Sequence, residues 1–498
     1  MLRRRPGHGD AAPAALDDET DEGRPMSTTD LTTPDLLIDG AAVGTDDRLD
    51  VLNPATGAVV GTSPVCTRGQ LDDAFAAAER AAPPWRGSLD ERRAALGAAA
   101  AALAGAVDEI APLLVAEQGK PMREARLEVK AAAYWLGYYA GTDLARETLR
   151  DDAKAFVEVR RRPAGVVAAI TPWNFPLLLA CWKIGPALAA GCTMVLKPSP
   201  YTPLSTLRMG EVLDGVLPDG VLNVVAGRDE LGAWMTGHPA VRKITFTGSV
   251  ATGKRVMSAA ADDLKRVTLE LGGNDAAILL DDVDPGAIAK QLFWSAFLNA
   301  GQLCCAVKRV YVPSGLRGEL VDALTAEAER VVVGDGAVRE TTMGPLNNRP
   351  QLDHVRAVVD EAVRAGARST NAGAALPDGG HFFAPTILDG ADDAMRVVAD
   401  EQFGPALPVI AYDDVEDALA RANAGTFGLS GSVWGQDEDR AADLAERLEC
   451  GTAWVNTHYA NDPGQPFGGL KWSGVGVENG RWGVETFTDL QVVHRARG

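Results

Sequence analysis

The sequence predicts an α/β protein with two doubly wound α/β domains, a cleft between them, and a small β arm. Three observations carry that expectation. From Val166 to Gly273, short apolar runs alternate with helical stretches, as in a parallel sheet whose strands are joined by crossover helices. After about residue 274 a second alternation of the same kind begins. Residues 155–162 and the tail from Thr488 belong to neither series. Apolar and polar side chains alternate at 155–162, the tail is strand-like, and together they read as an arm reaching a neighbouring subunit.

Taken in order, residues 1–26 carry an acidic cluster, Asp17, Asp18, Glu19, Asp21 and Glu22, and are expected to be a disordered tail, with Met26 as an alternative start. Leu36 to Asn53 reads as short strands broken by turns. Between residues 69 and 149, alanine, leucine and charged residues recur at helical period, most clearly at 71–82 and 91–119. Five buried-type strands follow, at 166–171, 192–198, 221–227, 243–249 and 266–273. Helices are expected from Leu177 to Leu188, at 204–213 and at 250–263. A parallel sheet of this kind holds its ligands at the carboxyl ends of its strands. The second alternation holds helices near 285–299, 316–331 and 351–365, with strands at 309–314 and 408–414.

Composition narrows the function. The net charge of −20 disfavours nucleic acid, which needs a basic surface, and suits a small-molecule substrate. Six cysteines with no CxxC pair give neither a disulfide scaffold nor a zinc site, so no metal is expected and a cytoplasmic location with reduced thiols fits best. No run of about 18 apolar residues appears, so no membrane span is expected.

Four stretches carry candidate chemistry. In Phe297–Ala306, small residues and Gly301 flank Cys304, so a turn can present its sulfur and its backbone N–H; two buried core cysteines are the alternative. In Thr268–Asn274, Glu270 ends an apolar strand beside two glycines. A carboxylate there is expensive to bury, and desolvation raises its pKa towards that of a useful base. In Pro172–Pro176, Asn174 follows a buried strand, and its amide suits an oxyanion, although a local turn bond is the commoner use. In Phe246–Arg255, Gly248, Ser249 and Gly253 open a helix after a strand, a place for a pyrophosphate. The same string nearly matches the phosphate loop of NTPases, but Arg255 stands where that loop needs a hydroxyl.

From about Leu37 to the C-terminus the chain resembles the aldehyde dehydrogenase superfamily. Phe297, Gly301, Gln302 and Cys304 fit its cysteine motif, Leu269–Gly273 its LELGG motif, and Cys304 and Glu270 are 34 positions apart, as is usual there. PWNFP, LKPS, FTGS, EQFGP and PFGGLKWSGVG occur in family order. The resemblance implies an aldehyde dehydrogenase-like fold. Its coenzyme-binding domain would span 27–150 and 165–273, its catalytic domain 274–473, and its oligomerisation arm 151–164 and 485–498. It implies oxidation of a small-molecule aldehyde with NAD or NADP, in the hydrolytic branch, by a homodimer or homotetramer. Cys304 matches the nucleophile, Glu270 the general base and Asn174 the oxyanion donor. Lys197 matches the adenosine-ribose contact, Gly248 and Ser249 the pyrophosphate contacts, and Glu401 and Phe403 the nicotinamide-ribose clamp. Ile170, Thr171, Pro172, Trp173, Gly253 and Leu271 complete the implied cofactor lining, and Lys183 with Glu478 matches a pair assigned to proton relay.

The chain departs from the family in places. Pro200 stands where NAD-preferring members often carry a glutamate, which opens NADP use. Asn274 replaces a common lysine, and Val307-Lys308 replaces the usual Gly-Ser after the cysteine. By similarity Phe175, Leu178, Leu179, Trp182, Leu303, Cys305, Thr457, His458 and Phe467 line the substrate mouth and suggest an apolar to aromatic aldehyde; His458 contacts a polar tail or caps a loop. A phosphate-loop NTPase and a catalytically idle scaffold are the competing readings.

Overall fold

The computed structural model describes residues 33–370 and 375–497, so the expected tail at 1–26 lies outside the described residues. Five parallel strands form the centre of the first sheet. Their spatial order is Arg266–Glu270, Val241–Thr247, Val166–Ile170, Thr193–Lys197, Leu222–Val224. These are the five strands expected from the sequence. Val166–Ile170, Thr193–Lys197 and Leu222–Val224 are buried on both faces and read as largely apolar runs rather than as alternating ones. From Val166–Ile170 the chain builds outward first to one side and then to the other. The order therefore reverses between Val166–Ile170 and Val241–Thr247, and a crevice opens beyond their carboxyl ends. Short antiparallel strands extend both edges, Gly474–Val475 beside Arg266–Glu270 and Leu36–Ile38 beside Leu222–Val224.

The second sheet has seven strands, in the order Arg368–Ser369, Thr386–Asp389, Ala406–Tyr412, Val307–Pro313, Asp275–Leu279, Ser430–Trp434, Thr452–Val455. All but the first run parallel. Separate apolar clusters pack on its two faces. Cys305, Leu429, Phe467, Val484 and Phe487 instead join the core of the first sheet, so the chain returns to that sheet after Val455.

The two segments left outside both series form a sheet of their own with a third strand. Thr488–Ala496 pairs antiparallel with Ala155–Pro163 over their full lengths, and Glu147–Asp151 adds the unanticipated third strand.

Two helical expectations need correction. The tract at 91–119 is two helices, Leu89–Gly105 and Val107–Gln118, bent by 69° where Ala106 leaves helical geometry. No single helix among the described residues is long and apolar enough to cross a membrane. The helix expected near 285–299 ends at Phe297, because the chain turns left-handed at Asn299.

Candidate active site

Asn299, Ala300 and Gly301 adopt φ values of 51°, 54° and 73° in succession. Two of these residues have side chains, so the turn carries strain of roughly 1–2 kcal/mol per residue that its neighbours must hold. Asn299 N–H donates to the Glu124 carboxylate (3.1 Å), and its amide donates to the Asn174 carbonyl (3.1 Å). The Gln302 amide donates to the Asn299 carbonyl (2.8 Å) and accepts from Asn347 N–H (2.9 Å). Lys308 Nζ donates to the Gly301 carbonyl (2.5 Å). A Cβ at Gly301 would overlap the Gly404 backbone. The held turn presents Cys304 half-buried, whereas Cys305 is buried. Cys66, Cys181 and Cys192 are buried too, and burial pushes the thiol of half-buried Cys450 up to about 12.

Glu270 is the last residue of its strand and is 1 % exposed, and neither carboxylate oxygen has a hydrogen-bond partner. Burial holds its carboxyl well above the usual range. The Cys304 sulfur and then Glu478 raise it further, while Lys183 opposes them. The sulfur and the carboxylate therefore share one compartment. The neighbouring Cys305 thiol, burial, and the Glu401 and Asp275 carboxylates hold the Cys304 thiol well above its ordinary value. Acidic groups from three segments surround a sulfur with little water to offset them.

Asn174 lies in the turn between Val166–Ile170 and the helix Pro176–Ala189. Its Nδ2 donates to the Gln302 carbonyl (2.9 Å), two residues before Cys304, and its buried Oδ1 has no partner. The turn is anchored from below by a buried ion pair. Lys120 Nζ donates to the Asn174 carbonyl (2.9 Å) and to Glu128 (2.5 Å), and lies 3.7 Å from the centre of the Phe175 ring. Glu128 in turn accepts from Leu177 N–H (3.0 Å) at the start of the helix. The sequence reading missed both residues, because a lysine is assigned to the surface by default; the signal was Gly119-Lys120-Pro121 between two helices. Behind Glu270, Lys183 Nζ donates to Thr247 (2.7 Å) and to Glu478 (2.5 Å). Asn174→Ala is expected to lower kcat by about 10²–10³-fold while Cys304 remains alkylable, checked by steady-state kinetics beside thiol labelling.

The crevice at the order reversal fits a dinucleotide. Ile170 ends one bounding strand, and Thr171, Pro172 and Trp173 follow it, with Thr171 N–H on the Lys197 carbonyl (3.0 Å). Lys197 is buried at the end of the next strand, with Nζ on its own Pro198 carbonyl (3.1 Å). Gly248 leaves the other bounding strand, and Ser249 caps the helix Val250–Ala261, whose first N–H groups face the crevice end of the sheet. Gly253 lies one turn inside that helix and packs on Leu271. Across the cleft, Glu401 accepts from Gly273 N–H (3.0 Å), and burial pushes its carboxyl up to about 7. A Cβ at Gly272 would overlap that carboxylate. Phe403, at φ 49°, sets its ring edge-on to Trp173 at 5.4 Å. Buried Thr171 Oγ1 and Gln402 Oε1 have no partner.

The same helix removes the NTPase reading. It begins at Val250, which leaves two residues between strand and helix, too few to wrap a phosphate, and Lys254 lies 3.6 Å from the centre of the Trp472 ring.

At the mouth, Trp182 stacks on Trp135 (5.7 Å) and meets Phe467 edge-on (5.3 Å). Leu178 and Leu179 are buried in the core beside it, and Leu303 is buried as well. His458 is spoken for: its Nε2 donates to the Cys305 carbonyl (2.9 Å) and its Nδ1 accepts from Ser432 (2.9 Å), so it holds the loop. Thr457 accepts from Gln291 (3.3 Å). Trp135, Tyr459 and Asn461 were missed. Burial and the adjacent Cys305 and Cys304 sulfurs hold the Tyr459 phenol neutral, and the Asn461 amide lies 4.0 Å from Cys305 Sγ.

The Aldehyde dehydrogenase family pattern matches residues 42–493. Its curated relatives include the putative aldehyde dehydrogenase DhaS of Bacillus subtilis (strain 168), 38% identical over 476 residues, 93% of this chain and 95% of that one. Among them, the glutarate-semialdehyde dehydrogenase of Pseudomonas aeruginosa is 38% identical over 464 residues, 91% of this chain and 96% of that one. The NADP(+) succinate-semialdehyde dehydrogenase GabD of Escherichia coli (strain K12) is 36% identical over 474 residues, 94% of this chain and 98% of that one. Among solved structures, the NAD+ complex of aldehyde dehydrogenase from Bacillus cereus superposes with a TM-score of 0.91 at 34% identity, covering 93% of this chain and 97% of that one. The chain therefore belongs to the aldehyde dehydrogenase family and is an NAD(P)-dependent aldehyde-oxidising enzyme.

Proposed function

We propose that Cys304 is the nucleophile, Glu270 the water-activating base and Asn174 the oxyanion donor. The observation that carries the reading is the meeting of Cys304 and Glu270, from two different sheets, beside an asparagine amide already bonded to the cysteine loop. Cys304 gives up its proton to solvent water, and the sulfur adds to the aldehyde carbon, whose π electrons move to oxygen. The Asn174 amide and the Cys304 N–H stabilise that oxyanion. Bound nicotinamide supplies the acceptor for the hydride. The thioester left on Cys304 is attacked by water, whose proton passes to Glu270, and the sulfur leaves as a carboxylic acid forms. Lys183 and Glu478 sit where they can carry that proton away from Glu270. Cofactor would be held by Lys197, by Ser249 and the helix behind it, and by Glu401 with Phe403 over Trp173. Glu270 also favours hydrolysis over transfer of the acyl group to a thiol.

The substrate is an apolar to aromatic aldehyde. Two relatives are named for semialdehydes, whose carboxylate needs a cation; Phe175, Trp182 and Phe467 offer aromatic faces instead. Pro200 leaves the adenosine ribose without the usual carboxylate, so NADP competes with NAD. A panel of benzaldehyde, a straight-chain aldehyde and succinate semialdehyde, run with both cofactors, tests these points. The expected order is aromatic, then aliphatic, then the semialdehyde, with roughly tenfold or more in kcat/KM between the extremes; a semialdehyde preferred over both overturns the substrate assignment. The chain divides into a coenzyme-binding domain, a catalytic domain and an arm as read from the sequence, with Glu147–Asp151 reassigned to the arm. The arm, with Leu149, Leu490 and Val492 exposed along it, supports a homodimer or homotetramer, and reduced thiols fit a cytoplasmic location.

A further inference from the structure

Strands Val241–Thr247 and Arg266–Glu270 are neighbours in the first sheet, and both alternate. Lys243, Thr245 and Thr247 are separated by Ile244 and Phe246, and Thr268 and Glu270 by Leu269. Such alternation ordinarily marks a strand with one face in water. Here all five polar residues are buried, Lys243 at 1 % exposure. Side chains two apart share a face, so the five form a polar ladder inside the core. The register sets Thr247 opposite Glu270 and Thr245 opposite Thr268. Lys183 and Glu478 close over the ladder. Lys183 Nζ donates to Thr247 (2.7 Å) and to Glu478 (2.5 Å), and the Thr245 hydroxyl donates to the same carboxylate oxygen of Glu478 (3.2 Å). At the far end Lys243 Nζ donates to Thr268 Oγ1 (2.5 Å) and lies 5.3 Å from the centre of the Phe487 ring. Nothing above gives Lys243 a role, and a buried ammonium with one hydroxyl for its three N–H groups is costly.

We propose that Lys243 is the far station of a proton path from Glu270: the proton that Glu270 takes from water passes through Lys183, Glu478 and the threonine hydroxyls to the Lys243 amine, and leaves from there for solvent at the root of the arm. The proposal rests on Glu270 being the base. Lys243 touches no reacting atom and acts through Glu478. Threonine hydroxyls both donate and accept, as a path requires. An amine accepts only when neutral, and burial pulls the Lys243 ammonium down to about 7. Glu478 and Cys192 hold its proton on, while Arg266 and Lys183 push it off. The register partner of Lys243 is exposed Arg266, which pairs with Asp489 of the arm, so the ladder ends at the margin of the core. Each hop breaks one O–H or N–H bond and makes the next, and no electrons are exchanged.

The test uses the full-length protein with benzaldehyde and cofactor. Lys243→Gln keeps an N–H donor for Thr268 but has no basic atom; Lys243→Met removes both at similar volume. Stopped-flow absorbance follows reduced cofactor, and acid-quenched peptide mass spectrometry follows the acyl group on Cys304. In both variants the first burst is expected at the parental rate. Later turnovers should be roughly tenfold slower near neutral pH, with acyl-enzyme accumulating because Glu270 keeps its proton. The defect should shrink as the pH rises and solvent base strips Glu270 directly. A lysine that merely braced Thr268 would be replaced by glutamine without this split. Parental later turnovers and a parental acyl level in Lys243→Gln overturn the proposal, as does a burst slowed as much as the later turnovers; if Lys243→Met does not fold, Lys243→Gln carries the test alone. Glu270→Gln run alongside separates the two claims. If it too turns over at the parental rate, the base assignment fails; if it stalls while Lys243→Gln does not, only the role of Lys243 falls.

Discussion

Cys304→Ala is expected to lower aldehyde turnover by on the order of 10⁴-fold or more with either cofactor, while dinucleotide affinity and fold persist. Every later step depends on the carbon–sulfur bond, so losing the sulfur removes the path rather than slowing it. Alanine also suits the site sterically. Cys304 contributes to the edge of the first core, and its loop is held by Gln302, Asn299 and Lys308 rather than by the thiol. Cys305 cannot take over, because it is buried and its carbonyl is fixed by His458. Steady-state reduction of NAD or NADP, beside a fluorescence titration of the cofactor, checks both halves; turnover within tenfold of the parent would falsify the assignment.

Glu270→Gln is expected to divide the reaction in two. The first reduced cofactor should still appear in a burst of about one per active site, because the thioester forms without the base. Later turnovers should slow by about 10²–10⁴-fold. The pH dependence gives a second signature. Burial raises the Glu270 carboxyl, so the protonated form persists above the ordinary carboxylate range. Hydrolysis needs the ionised form, so its rate should fall as the pH drops through that raised value, and the same limb should vanish in Glu270→Gln. Stopped-flow absorbance of the reduced cofactor checks both. A linear time course at the parental rate would remove Glu270 as the base.

Much of this was legible from the chain alone, for reasons that particular residues make clear. Val166–Ile170 and its neighbours at the centre of the first sheet are buried on both faces and so read as largely apolar runs. The arm showed itself through alternation at Ala155–Pro163 and a strand-like C-terminal tail. Asp275–Leu279, near the centre of the second sheet, was not singled out, because DAAIL holds a single β-branched residue and opens on an acid. The turn at Asn299–Gly301 showed only its glycine; the left-handed Asn299 and Ala300 are imposed by Glu124, Gln302 and Lys308 from elsewhere in the chain. The buried lysines at 120 and 308 were invisible for the same reason, since only their distant partners explain their burial. Cys304, Glu270 and Asn174 were found by motif, but the neutral state of the thiol was not, because it is the sum of charges that Cys305, Asp275 and Glu401 bring to one point.

The central claim is that the sulfur of Cys304 carries the substrate until Glu270 releases it. Intact-protein and peptide mass spectrometry of Glu270→Gln, mixed with benzaldehyde and cofactor and quenched in acid, tests it most directly. One acyl group per chain, lodged on the Cys304 peptide and dependent on cofactor, is the expected result. An unmodified protein after the burst, or an adduct on any other residue, contradicts it.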